Sequence, residues 1–89
     1  MKTVHCKKEP YDIYIGRGSV WGNPYKIGKD GTRKEVIEKY RKYLINNKYL
    51  MNRIMELDSK TLGCFCSPLK CHGDVIIEVI KMIKNGQLI

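Results

Sequence analysis

The strongest constraint on the fold lies in the last third of the chain. Val75, Ile76, Ile77, Val79, Ile80 and Ile83 recur at helical spacing and make an apolar face too wide for a surface stripe. A helix with such a face needs a sheet to lie against. Just upstream, Thr61-Leu62-Gly63-Cys64-Phe65-Cys66 is short, apolar and bounded by turn residues, which predicts a strand ending at Ser67-Pro68. The helix is expected to begin near His72 to Asp74 and to close at Asn85-Gly86, a glycine C-cap.

The rest of the chain reads around that strand and helix. Thr32 and Glu35 have the spacing of a capping box, and Val36, Ile37, Tyr40 and Leu44 follow with helical periodicity. Asn46-Asn47 is a break. Leu50, Met51, Ile54, Met55 and Leu57 then form a second helix or a kinked continuation. At the N-terminus, strands are expected over Thr3 to Lys7 and Asp12 to Ile15, with a turn at Glu9-Pro10. The order β-β-α(α)-β-α predicts a small α/β domain, with a sheet of about three strands and two or three helices. At 89 residues, one domain over 1–89 is expected.

No apolar run approaches the roughly 20 residues of a membrane span, so no membrane role is expected. The opening Met1 to Lys7 has no apolar signal core, which points to a cytoplasmic, reducing setting. There, Cys6, Cys64, Cys66 and Cys71 are better read as thiols than as disulfides. Lys and Arg total 17 against 9 Asp and Glu, a net charge of +8. That excess favours a polyanionic partner such as a nucleotide or nucleic acid.

The densest chemistry is the stretch from Cys64 to Asp74, which has three thiols and an imidazole within eleven residues. Three readings compete. Cys64, Cys66, Cys71 and His72 match a zinc site in number, with His5 or Cys6 able to replace one ligand, although adjacent Cys71 and His72 do not readily reach one ion. Alternatively, Cys71 at a helix N-terminus is a nucleophile, with His72 as base and Asp74 orienting it. Third, the cysteines are buried small side chains and Asp74 is a helix cap.

A second region follows the second expected strand. In Gly16-Arg17-Gly18-Ser19-Val20-Trp21-Gly22-Asn23-Pro24, glycines let the backbone approach an anion, Arg17 can grip phosphate and Ser19 can donate to it. Trp21 serves either as a stacking face for a base or as a plug at the edge of the core. The pattern is neither a P-loop nor a dinucleotide fingerprint. If the second and third strands are parallel neighbours, the Gly16–Asn23 and Cys66–Asp74 loops meet at one sheet edge, where open α/β sheets bind ligands. An anion would then lie between Arg17, Ser19 and the amides of Gly73 and Asp74.

Tyr11 to Ser19, Trp21 to Pro24, Gly31-Thr32-Arg33 and Cys64 to Asp74 together resemble the DUF4326 family, small domains of unknown function common in bacteria and their phages. The resemblance spans nearly the whole chain, with Phe65 standing where tryptophan is expected. It implies that Gly16, Arg17, Ser19, Trp21, Asn23, Pro24, Cys66, Cys71, His72 and Asp74 occupy motif positions, and it implies no activity. The function expected from the residues is binding of a nucleotide or nucleic-acid phosphate between the two loops, with Gly16, Arg17, Gly18, Ser19, Trp21 and Asn23 as ligand contacts. Hydrolysis or transfer through Cys71, His72 and Asp74 is a further possibility. The alternatives are a zinc-stapled nucleic-acid-binding module without enzymatic activity, or a phage-type protein that binds a host protein.

Overall fold

The computed structural model describes residues 1–66 and 69–87. Three short strands, β1 (Lys2–His5), β2 (Ile13–Tyr14) and β3 (Thr61–Cys64), form one sheet in the order β1-β3-β2. Both outer strands pair with β3 in parallel, Val4 and Tyr14 each opposite Gly63. The ladder extends past the strand ends through bonds from the Cys6 amide to Cys64 and from the Ile15 amide to Gly63, each 2.9 Å. β1 starts one residue earlier than expected and ends two earlier, β2 is one residue shorter at each end, and β3 starts at Thr61 as expected but stops at Cys64, two residues short. The turn expected at Ser67-Pro68 lies outside the described residues.

Helix α1 (Arg33–Ile45) starts where the sequence predicts. The Glu35 amide donates to the Thr32 hydroxyl at 3.2 Å, and the Thr32 amide donates to the Glu35 carboxylate at 2.9 Å. The Thr32 amide, with the Thr32 hydroxyl beside it, holds the Glu35 carboxyl below its ordinary range. The expected break is real: Asn46 is the C-cap of α1, and Asn47 caps α2 (Lys48–Arg53), accepting from the Leu50 amide at 3.1 Å. A 3-10 turn over Ile54–Leu57 then leads into β3. Helix α3 (His72–Lys84) buries Val75, Ile76, Val79 and Ile80, the face on which the α/β expectation was built. Ile77 and Ile83 pack at its margin. No helix among the described residues is long and apolar enough to cross a membrane.

Alternation along the strands assigns the two faces of the sheet. Leu62, Cys64 and Ile15 face the core with α1 and α3. Gly63 and Tyr14 face the other way. The connection from β1 to β2, residues 6–12, is too short for a helical crossover. It returns across this second face, laying the Tyr11 ring over Gly63, where a Cβ would approach Tyr11 Cγ to 2.6 Å.

Candidate functional site

Because β2 and β3 are parallel neighbours, their C-terminal ends carry the 15–23 loop and the 65–72 segment to the same edge. A cleft of about 380 Å³ lies there. Its floor is apolar, with Val36 and Ile37 of α1 beside Cys64 and Cys71. Tyr25 and Phe65 add aromatic walls. Four cationic side chains line it: Arg17, Lys26, Arg33 and Lys70. Among the described residues no carboxylate lines the cleft, and none of these four cations is in an ion pair. Acidic side chains are instead placed next door, where Glu38, Asp74 and Glu78 line the groove between α1 and α3 and Arg41 bonds Glu78 at 2.6 Å.

Local structure fixes three of the four cations. Arg17 leaves the end of β2 on an exposed loop whose backbone is pinned by the Tyr14 hydroxyl, which donates to the Arg17 carbonyl at 3.0 Å. Arg33 is the first residue of α1, placed by the capping box, and donates from Nη1 to the Lys70 carbonyl at 3.0 Å. That bond ties the start of α1 to the segment before α3, on which Lys70 lies. Asn23 holds the loop to α1, donating to the Val36 carbonyl at 3.2 Å and accepting from the Tyr25 amide at 2.9 Å.

Of the expected ligand contacts, Gly16, Arg17 and Asn23 line the cleft. Trp21 does not offer a stacking face. It is 4% exposed and lies in the core, because a small domain has few other groups large enough to fill that space. Ser19 turns its hydroxyl back to the Gly16 carbonyl at 2.7 Å, and Gly18 serves the turn, with φ at +96°. The helix amides expected to hold an anion are also committed: Gly73 donates to Cys71 Sγ at 3.3 Å and Asp74 donates to the Cys71 carbonyl at 3.0 Å.

The expected catalytic trio is likewise built differently. His72 is buried, and its Nε2 donates to the Ile15 carbonyl at 2.6 Å, so it anchors the end of β2 instead of serving Cys71 as a base. Burial holds the imidazole below its usual range, with the Ile15 bond acting partly against that shift. The Tyr40 ring meets His72 edge-on at 5.0 Å, and its hydroxyl donates to the Trp21 carbonyl at 2.8 Å. Burial pushes the Tyr40 phenol up, so it remains a neutral donor. Ile15, Trp21, Tyr40 and His72 thus join loop, α1 and α3 in one buried network that positions Arg17. Cys71 is the N-cap of α3, its sulfur accepting from Gly73 while the Asp74 carboxylate accepts from the Cys71 amide at 3.1 Å. The Cys64 sulfur, 3.3 Å away, and burial push the Cys71 thiol up, opposite to the activation expected at a helix N-terminus.

All four cysteines are thiols. Cys64 and Cys71 are in contact, Cys66 lines the cleft, and Cys6 is half-buried. Among the described residues no three His, Cys, Asp or Glu side chains are gathered as a metal ion needs. The expected zinc set of Cys64, Cys66, Cys71 and His72 therefore does not assemble, since the His72 Nε2 is directed at Ile15. Sequence reasoning missed Arg33, Lys70 and Lys26 as cleft residues, and Tyr40 as the donor that holds the Trp21 backbone of the Arg17 loop. Arg33 had a signal, its place directly after a helix cap.

Two relatives share this chain's sequence. Uncharacterized protein R718 of Acanthamoeba polyphaga mimivirus is 38% identical over 92 residues, covering 83% of this chain and 70% of that protein. An uncharacterized 12.4 kDa protein of Enterobacteria phage T4, from the nrdA-td intergenic region, is 33% identical over 87 residues, covering 92% of this chain and 79% of that protein. No solved structure matches the chain. The DUF4326 model, a domain of unknown function, matches residues 1–82, which include every strand and nearly all of α3. This chain belongs to the DUF4326 family.

Proposed function

We propose that this protein binds a nucleotide, free or within a nucleic acid, with its phosphate among Arg17, Arg33, Lys26 and Lys70. The observation that carries this reading is the set of four cations, contributed by separate stretches of chain, around one cleft with no carboxylate in its lining among the described residues. Gathering like charges around one cleft disfavours the folded state, and a bound phosphate relieves that repulsion. Arg17 and Arg33 suit the role because a guanidinium forks onto two phosphate oxygens. The apolar floor and the walls of Tyr25 and Phe65 suit the base and sugar, which a bare inorganic anion lacks.

The arrangement favours binding over covalent catalysis. The Cys71 thiol is held protonated and His72 is committed to Ile15, so neither is poised to attack or to shuttle a proton. Titration calorimetry with thymidine monophosphate at low salt tests the reading. Arg17→Ala is expected to weaken binding tenfold or more, since a charge-assisted bond is worth about 1.5–3 kcal/mol. Its thermal midpoint is expected to stay within about 2 °C of the parent, because an exposed side chain away from the core changes stability little. Unchanged affinity in both Arg17→Ala and Arg33→Ala would refute the cleft as the phosphate site.

A further inference from the structure

A row of rings runs from the face of the sheet turned away from the helices to the C-terminal edge of the strands, where Phe65 and His5 lie. Tyr11 and Tyr14 are 6.4 Å apart between centroids, Tyr14 and Phe65 6.2 Å, and Phe65 and His5 5.8 Å. Single exposed aromatics are ordinary, but a contiguous ordered row is not. Tyr11 is 42% exposed and Phe65 53% exposed. Their positions are built in: Tyr11 lies flat over Gly63, and Tyr14 crosses Gly16, where any Cβ would collide with its ring. The row also leads into the cleft. Phe65 lines it, and Tyr14 holds the Arg17 backbone by its hydroxyl.

Charge along the row is mixed, and its cationic end is the cleft. Lys7 and Lys8 stand exposed in the turn after β1, where the Lys7 amide donates to His5 Nδ1 at 3.2 Å. Two acidic groups are also exposed nearby: Asp12, which accepts from the Thr61 amide at 2.8 Å, and Glu9 on the connection. In the cleft, Arg17, Lys26, Arg33 and Lys70 share the lining with no carboxylate among the described residues.

We propose that the partner is a single-stranded polynucleotide, one nucleotide seated in the cleft and its neighbours stacked on Phe65 and Tyr11. This rests on the cleft being a phosphate site and extends it from a mononucleotide to a strand. Stacking on aromatic rings requires unpaired bases, whereas a duplex hides their faces. The combination of a cationic channel and exposed rings is what sequence-tolerant single-strand binding uses.

The test compares thymidine monophosphate, ten-nucleotide oligothymidylate and oligouridylate, and a ten-base-pair duplex at one salt concentration. The proteins are the parent, Arg17→Ala, Phe65→Leu and Tyr11→Leu. Leucine keeps apolar bulk without a ring face, and a thermal melt checks each fold. At least one single strand is expected to bind tenfold or more tighter than the mononucleotide, and tighter than the duplex. Phe65→Leu and Tyr11→Leu are each expected to weaken strand binding about fivefold or more, and Tyr11→Leu, outside the cleft lining, to leave the mononucleotide unaffected. Duplex binding as tight as strand binding, or Leu variants that bind the strand like the parent, would overturn the proposal while leaving the cleft intact. Strand binding that needs Phe65 and Tyr11 but not Arg17 would instead overturn the cleft reading and keep the aromatic face.

Discussion

Position 71 separates the structural from the chemical interpretation of the cysteine cluster. The Cys71 sulfur accepts from the Gly73 amide at 3.3 Å, and its own amide is held by Asp74. Serine at this position keeps a side-chain acceptor, and oxygen accepts more strongly than sulfur. Alanine removes the acceptor. Both replacements lose most of the sulfur's volume from a site only 3% exposed, so the packing loss largely cancels between them. What remains is the cap, worth about 1 kcal/mol, with a range of roughly 0.5–2. Cys71→Ser is therefore expected to be more stable than Cys71→Ala by about 1 kcal/mol, or about 4–8 °C in thermal midpoint for a domain of this size. Urea denaturation and thermal melts followed by circular dichroism, under reducing conditions, give the two values. Equal stability of the two variants would show that the cap contributes nothing. Collapse of both to an unfolded chain would show that the sulfur itself is indispensable, as for a metal ligand.

Two further predictions concern the buried network. The unfolded chain takes up a proton at His72 near pH 6.5, whereas burial lowers the folded value. Stability from this group is therefore complete above about pH 6.5 and falls as the pH drops toward the lowered value, by up to about 1.4 kcal/mol per pH unit. Urea midpoints at pH 7.5, 6.0 and 5.0 should show that loss in the parent and a smaller one in His72→Gln; a larger loss in the variant would reverse the assignment. Tyr40→Phe leaves the Trp21 carbonyl without its 2.8 Å donor and is expected to lower stability by about 1–2 kcal/mol, with a shift in tryptophan fluorescence. An unchanged urea midpoint would show that the hydroxyl does not hold the loop.

How much was legible follows from the range of each interaction. The apolar face of α3 and the Thr32–Glu35 cap act within one helix, where spacing in the sequence is spacing in space. The meeting of the two loops followed from a single condition, parallel β2 and β3, that the strand patterns allowed. The choice of groups inside the site was not legible, because it depends on pairings across the chain. His72 is directed at Ile15, 57 positions earlier, and Arg33 at Lys70, 37 positions later. Neighbouring Cys71 and His72 looked like partners, yet the helix start sends one to cap its own turn and the other across to β2. Cys71 as a cap was hidden for a different reason: a thiol is a weak acceptor, so cap patterns are sought among Ser, Thr, Asp and Asn. The aromatic row was invisible because the 6–12 connection folds Tyr11 back over Gly63, and nothing in the alternation of β1 announces that path.

The most direct measurement is an amide chemical-shift map, recorded by NMR while thymidine monophosphate is titrated into the isotope-labelled protein. The expected result is saturable shifts confined to the cleft, at Gly16, Arg17, Asn23, Tyr25, Lys26, Arg33, Phe65, Lys70 and Cys71, with the lysine-bearing ends of α2 and α3 unmoved. Shifts spread evenly over Lys48, Lys81 and Lys84, or none at millimolar ligand, would contradict the assignment of the cleft as the phosphate site.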